Sequence, residues 1–129
     1  VVVHILINIA AVGIGGGFGA ILRWQVALML SAHPLTSKFP IATCSVNLVG
    51  CVLIGLFVAL DGRGEPHTLL RLFFVTGILG GFTTFSAFGL ETVSMLRAGH
   101  LFDAFLYVLV SVVLGVCGVF AGLWLGARA

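Results

Sequence analysis

Gly80-Gly81-Phe82-Thr83-Thr84-Phe85-Ser86-Ala87-Phe88 puts two glycines, two threonines, a serine and three phenylalanines into the middle of a strongly apolar run. A membrane-spanning helix has little reason to be written this way unless its backbone breaks there. A break frees carbonyl and N–H groups that lipid cannot satisfy, so it survives only where protein or a water-filled cavity surrounds it. Length argues the same way. Residues 69–96 as one straight helix would extend about 42 Å at 1.5 Å per residue, more than a hydrocarbon core of roughly 30 Å requires. Glycine weakens helix continuity and threonine hydroxyls compete for backbone hydrogen bonds. The stretch therefore predicts two half-helices meeting near mid-membrane, around residues 80–84. Such ends offer carbonyls to a cation and N–H groups to an anion.

The rest of the chain agrees with a membrane setting. Its 129 residues are 60% hydrophobic and 8% charged, and the mean hydropathy is +1.27. A soluble domain cannot cover its surface with that composition. The sequence predicts an all-α integral membrane protein, a single four-helix transmembrane domain over residues 1–129. Its spans lie at about 3–30, 40–60, 69–96 and 101–125, at about 20 residues or more each. The first span lacks the basic leader and small-residue cleavage site of a signal peptide, and reads as a retained helix.

Basic residues near span ends bias orientation. Arg63, Arg71 and Arg128 fall on one side, and Arg23, Lys38 and Arg97 on the other. With three against three, the chain is expected to insert in both orientations and to pair as an antiparallel, dual-topology homodimer. Cys44, Cys51 and Cys117 lie within apolar spans, without a CxxC pair, and read as small packing residues. His4, His33, His67 and His100 sit at span ends rather than at metal-ligand spacing.

Gly13-Ile14-Gly15-Gly16-Gly17-Phe18-Gly19-Ala20 in the first span imitates a dinucleotide fingerprint, but it lacks the flanking strand and the acidic residue that such a site needs. It reads instead as small-xxx-small helix packing, Gly13 with Gly17 and Gly16 with Ala20. Arg23 lies on the same side as Gly16 and Ala20. It either faces a vestibule or snorkels to the headgroups beside Trp24.

In the second span Thr43, Asn47 and Gly50 share one helix face. Asn47 either joins helices or lines a polar path. Phe82, Phe85 and Phe88 form a stripe that serves as apolar packing or turns positive ring edges toward an anion. Glu91 follows, at the interface or in a vestibule. On the fourth span Tyr107, Ser111, Gly115, Gly118, Gly122 and Gly126 fall within one arc. The glycines make a packing seam, and the two hydroxyls can donate to a partner helix or a passing anion.

Arg23, Thr43, Asn47, Thr83, Thr84, Ser86, Tyr107 and Ser111 are thus donors without negative charge, a set that suits an anion better than a cation. A small dual-topology four-helix exporter of the multidrug type is the alternative, although such exporters carry a glutamate in the first helix, where this chain has none. An enzyme is not expected, because the peripheral histidines allow neither a catalytic triad nor a metal cluster.

Val46-Asn47-Leu48-Val49-Gly50, Thr76-Gly77-Ile78-Leu79-Gly80-Gly81-Phe82-Thr83-Thr84-Phe85-Ser86 with Glu91-Thr92, and Leu22-Arg23-Trp24 closing the glycine-rich helix resemble the CrcB/Fluc fluoride channels. The resemblance covers all four spans. It implies passive, fluoride-selective export across the cell (inner or plasma) membrane, by a dual-topology homodimer with two antiparallel pores. It implies further that Asn47, Phe85 and Phe88 line each pore with Tyr107 and Ser111 beside them, that Arg23 belongs to the vestibule, and that Thr43 and Glu91 lie near the ion path. At the dimer centre it implies one structural sodium ion, held by the backbone carbonyls of Gly80 and Thr83 from both subunits.

Overall fold

The computed structural model describes residues 1–31, 39–62 and 68–129. Lys38 and Arg63 of the charge count, and His33 and His67, lie outside the described residues. Four helical stretches are long and apolar enough to cross a membrane: Val2–Ser31, Ile41–Asp61, Leu69–Arg97 and Leu101–Gly126. All regular structure among the described residues is helical. The chain is a multi-pass membrane protein.

The first span is one helix, α1 (Val2–Ser31), and the second is α2 (Ile41–Asp61). The third is composite. A single turn, α3 (Leu69–Arg71), starts at Thr68, whose hydroxyl accepts from the Arg71 N–H at 3.4 Å. It widens into a π-helical stretch over Leu72–Leu79 and tightens again in α4 (Gly80–Phe82). Thr83 (φ −83°, ψ 160°) and Thr84 (φ −152°, ψ 119°) are extended, and α5 (Phe85–Arg97) follows. After α5, Gly99 takes φ 83°. The Gly99 N–H bonds Leu96 O at 3.1 Å and the His100 N–H bonds Met95 O at 2.9 Å. This left-handed glycine cap satisfies two terminal carbonyls and turns the chain into α6 (Leu101–Gly126).

Two helix pairs dominate the packing. The α2 helix packs most extensively on α6, and α1 packs on the π-helical stretch and α4. Glycine makes both close approaches possible. A Cβ on Gly19 would fall onto the Ile78 carbonyl oxygen, and one on Gly122 onto the Val52 carbonyl oxygen. Gly15, Gly77 and Gly81 are similarly closed against the opposing backbone, as is Gly55 against Val119. In α1 the sequence expectation holds for one pair and not the other. A Cβ on Gly13 or Gly17 would meet nothing within 4 Å, whereas Gly16 and Ala20 lie against Gly81, and the contact ridge runs through them and through Gly15 and Gly19. The fourth-span seam lies where its arc predicts, with Tyr107, Gly118, Gly122 and Gly126 buried.

At one end, Arg71 Nη1 meets Asp61 Oδ2 at 3.3 Å and ties the second span to the start of the third. The Arg128 guanidinium lies 3.7 Å from the centre of the Trp124 ring, where a cation over an indole anchors the last turn.

Candidate functional site

The site is built around the two extended threonines. Asn47, facing them from α2, donates from Nδ2 to the Thr84 carbonyl at 3.0 Å and accepts the Thr84 N–H on Oδ1 at 2.8 Å. The side-chain amide thereby acts as a short stretch of neighbouring backbone. Gly50, one turn further along, leaves the room into which the Thr83 methyl fits, since a Cβ there would fall on Thr83 Cγ2. Thr84 also caps α5, its Oγ1 accepting from the Ala87 N–H at 3.2 Å. The Thr84 and Ser86 hydroxyls lie 3.3 Å apart. Thr83 Oγ1 donates to Leu79 O at 2.8 Å.

These bonds redirect the helical ladder. In a continuous α-helix the Thr84 N–H would close on Gly80 O and the Ala87 N–H on Thr83 O. The first is taken by Asn47 Oδ1 and the second by Thr84 Oγ1. The Gly80 and Thr83 carbonyls are the two acceptors that lose these partners.

Beside the threonines lies a cavity of about 390 Å³, walled among others by Asn47, Gly80, Thr83, Phe85, Phe88 and Ser111. The Asn47 amide has two N–H donors, of which one serves Thr84. Ser111 Oγ is buried and has no hydrogen-bond partner among the described residues. Its hydrogen is therefore uncommitted on the cavity wall. Phe85 is 83% exposed in the single chain.

Four aromatic rings continue from the cavity in a row. The Phe85 and Phe88 centroids are 5.6 Å apart, Phe88 and Tyr107 are 5.1 Å apart, and Tyr107 meets Phe39 edge-on at 5.2 Å and 84°. Tyr107 is fully buried. Its OH donates to Glu91 Oε2 at 2.7 Å, while Thr43 Oγ1 donates to Glu91 Oε1 at 2.6 Å. One carboxylate thus joins α2, α5 and α6.

A second cavity, of about 350 Å³, lies between α1, α2 and the start of α5 and is lined by Arg23, Trp24, Thr43, Thr84 and Ala87 among others. Thr84 borders both cavities.

The structure therefore gathers Asn47, Phe85, Phe88 and Ser111 with Gly80 and Thr83 around one cavity, and Arg23 with Thr43 around the other. Tyr107 and Glu91 border neither; they bond to each other directly, and Glu91 reaches the second cavity through Thr43. Thr84 contributes more than its type suggested, as clamp partner, helix cap and shared wall. A threonine three residues before the α5 amide that it caps was the available signal. Cys51 stands on the wall of the first cavity as well as packing against Gly115 and Gly118 of α6.

Residues 10–123 match the family described as CrcB-like protein, Camphor Resistance (CrcB). Among similar proteins, one from Agrobacterium fabrum is 47% identical over 124 residues, covering 94% of this chain and 97% of the relative. One from Hyphomonas neptunium is 47% identical over 120 residues, covering 91% and 93%. One from Phocaeicola vulgatus is 40% identical over 112 residues, covering 87% and 92%. Each of the three carries the name fluoride-specific ion channel FluC.

Proposed function

Because the chain belongs to the CrcB family, we propose that it is a fluoride-selective ion channel, a transport protein and not an enzyme, which lets fluoride leave the cell passively across the inner or plasma membrane. The observation that carries this reading is the first cavity. It combines an orphan buried hydroxyl on Ser111, an uncommitted amide N–H on Asn47, and the rings of Phe85 and Phe88. These groups are donors and positive ring edges without a carboxylate on the same wall, the chemistry that a small, strongly accepting anion needs when it sheds water.

The second cavity supports an entrance. Arg23 gives it positive charge, and Thr84 forms a wall common to it and the donor-lined cavity. An anion attracted by the guanidinium would pass from Arg23 and Thr43 toward Asn47 and Ser111.

The working unit in this reading is a dual-topology, antiparallel homodimer with one pore on each side. Phe85, with most of its ring uncovered in the single chain, gains its second wall from the other subunit. The third span works as two half-helices joined at Thr83 and Thr84. A structural sodium ion at the dimer centre fits the carbonyls of Gly80 and Thr83, because these acceptors have lost their helical N–H partners to Asn47 and Thr84. Neutral carbonyl oxygens suit a hard monovalent cation. Bound there, sodium would supply positive charge that holds the two crossing spans together.

Protein reconstituted in liposomes and followed with ion-selective electrodes tests the reading. Fluoride is expected to leave and chloride to stay. Equal efflux of the two would overturn selectivity.

A further inference from the structure

The buried hydroxyls of this protein are not equally available. Thr43 Oγ1 and Tyr107 OH come from different helices, and both donate to Glu91, one to each carboxylate oxygen, at 2.6 and 2.7 Å. Bonds to an ionised acceptor are roughly twice as strong as neutral ones. A hydroxyl has one hydrogen to give, so neither Thr43 nor Tyr107 can serve another acceptor while Glu91 holds it. Both residues are buried. Ser111 contrasts with them, because its buried Oγ bonds to nothing among the described residues. The donors thus fall into an open group on the first cavity and a group already claimed by a negative charge.

We propose that the Glu91 carboxylate is a tethered anion. It fills an anion-binding position made by the Thr43 and Tyr107 hydroxyls, and a small permeant anion reaches those hydroxyls only by displacing it. The inference rests on the fluoride-channel reading and adds a form of regulation to it, in which the protein's own carboxylate competes with the transported ion. The surroundings fit such an exchange. Thr43 borders the cavity that contains Arg23, so an anion drawn there arrives next to one of the two claimed hydroxyls. Tyr107 packs against the Phe88 ring at 5.1 Å, so release of its OH is felt on the wall of the other cavity. Fluoride, the halide that accepts hydrogen bonds most strongly, is the one best able to compete with a carboxylate for O–H donors.

The test is the dependence of initial fluoride efflux on internal fluoride concentration in liposomes. Glu91→Gln removes the charge. Glu91→Asp keeps the charge but shortens the arm, so that the carboxylate cannot span both hydroxyls. Each is expected to lower the half-saturating fluoride concentration by about tenfold, the effect of losing a charged competitor. In a Thr43→Ala/Tyr107→Phe background the shift caused by Glu91→Gln should vanish, because the contested donors are gone. A half-saturating concentration unchanged or raised in both Glu91 variants, as expected of a strut that only holds helices together, would overturn the proposal. If wild-type liposomes release fluoride while neither variant is shifted, only the tethered anion fails. If wild-type liposomes release none, the channel reading fails with it.

Discussion

Asn47 and Thr84 hold one another by two opposed hydrogen bonds, Nδ2 to carbonyl at 3.0 Å and N–H to Oδ1 at 2.8 Å. A side chain on the second span thereby supplies what a helical neighbour would otherwise supply on the third. Asn47→Ala should strand both backbone groups. It is expected to destabilise the fold by about 1–2 kcal/mol, the range of interhelical hydrogen bonds in membranes, and to reduce fluoride efflux. Thermal unfolding in detergent and a liposome efflux assay measure the two effects. Asn47→Asp should rescue neither, because it loses the donor and sets a carboxylate against the Thr84 carbonyl.

The glycine contacts predict a contrast along α1. Gly19→Ala drives a methyl into the Ile78 backbone and should cost about 1–3 kcal/mol, as overpacking does. Gly13→Ala enters open space. It should be neutral or slightly stabilising, since alanine favours helix over glycine by about 1 kcal/mol. Comparison of unfolding midpoints in the same detergent decides the matter.

Phe85 and Phe88 should separate function from stability. Phe85 is largely exposed, whereas Phe88 packs on Tyr107. Phe85→Ile should slow fluoride efflux by at least about tenfold, equivalent to roughly 1.4 kcal/mol of barrier, with little change in unfolding midpoint. Phe88→Ile should slow efflux and lower the midpoint as well. Unchanged flux in both variants would return the rings to simple packing.

Ser111→Ala should act in opposite directions on the two readouts. The hydroxyl it removes is buried and unpaired, so stability should hold or rise by up to about 1 kcal/mol. Fluoride efflux should fall, because an available donor leaves the cavity wall.

Replacing sodium on both sides of the membrane by a larger organic cation should leave the side-chain donors intact while emptying the proposed carbonyl site. Fluoride efflux is expected to decline and to recover on return of sodium. Cross-linking of the homodimer should weaken in parallel. Insensitivity of both to the exchange would count against a central sodium ion.

Much of the architecture was legible in residue types alone. Four apolar stretches and a near absence of charge leave little besides membrane helices, because hydropathy is a property of each residue in turn. Contacts are not. The run from Gly13 to Ala20 contains three overlapping four-residue repeats, 13/17, 15/19 and 16/20, and spacing cannot say which of them meet a neighbour. Gly15 and Gly19 do so because the Phe73 and Ile78 carbonyls stand opposite them, and Gly16 and Ala20 because Gly81 does, while Gly13 and Gly17 meet nothing. Glu91 teaches the same lesson. Its position suggested an interface or a vestibule, but its two donors come from helices 48 and 16 residues away. Nothing local in the chain names them. Asn47 could be singled out as costly unless bonded, yet that the bond is to backbone, and to Thr84, depends on how α2 crosses the third span.

The acceptors released at Gly80 and Thr83 are main-chain atoms, and every amino acid carries the same ones. No codon change can delete them. Inheritance reaches this feature only indirectly, through the two side chains that divert the neighbouring N–H groups, the amide of Asn47 and the hydroxyl of Thr84. Drift at Gly80 or Thr83 would alter bulk around the oxygens but not their presence. A change at position 47 or 84 would remove the bonds that hold those N–H groups away from them. The evolutionary record of the proposed cation site should therefore be sought at residues outside its set of carbonyls.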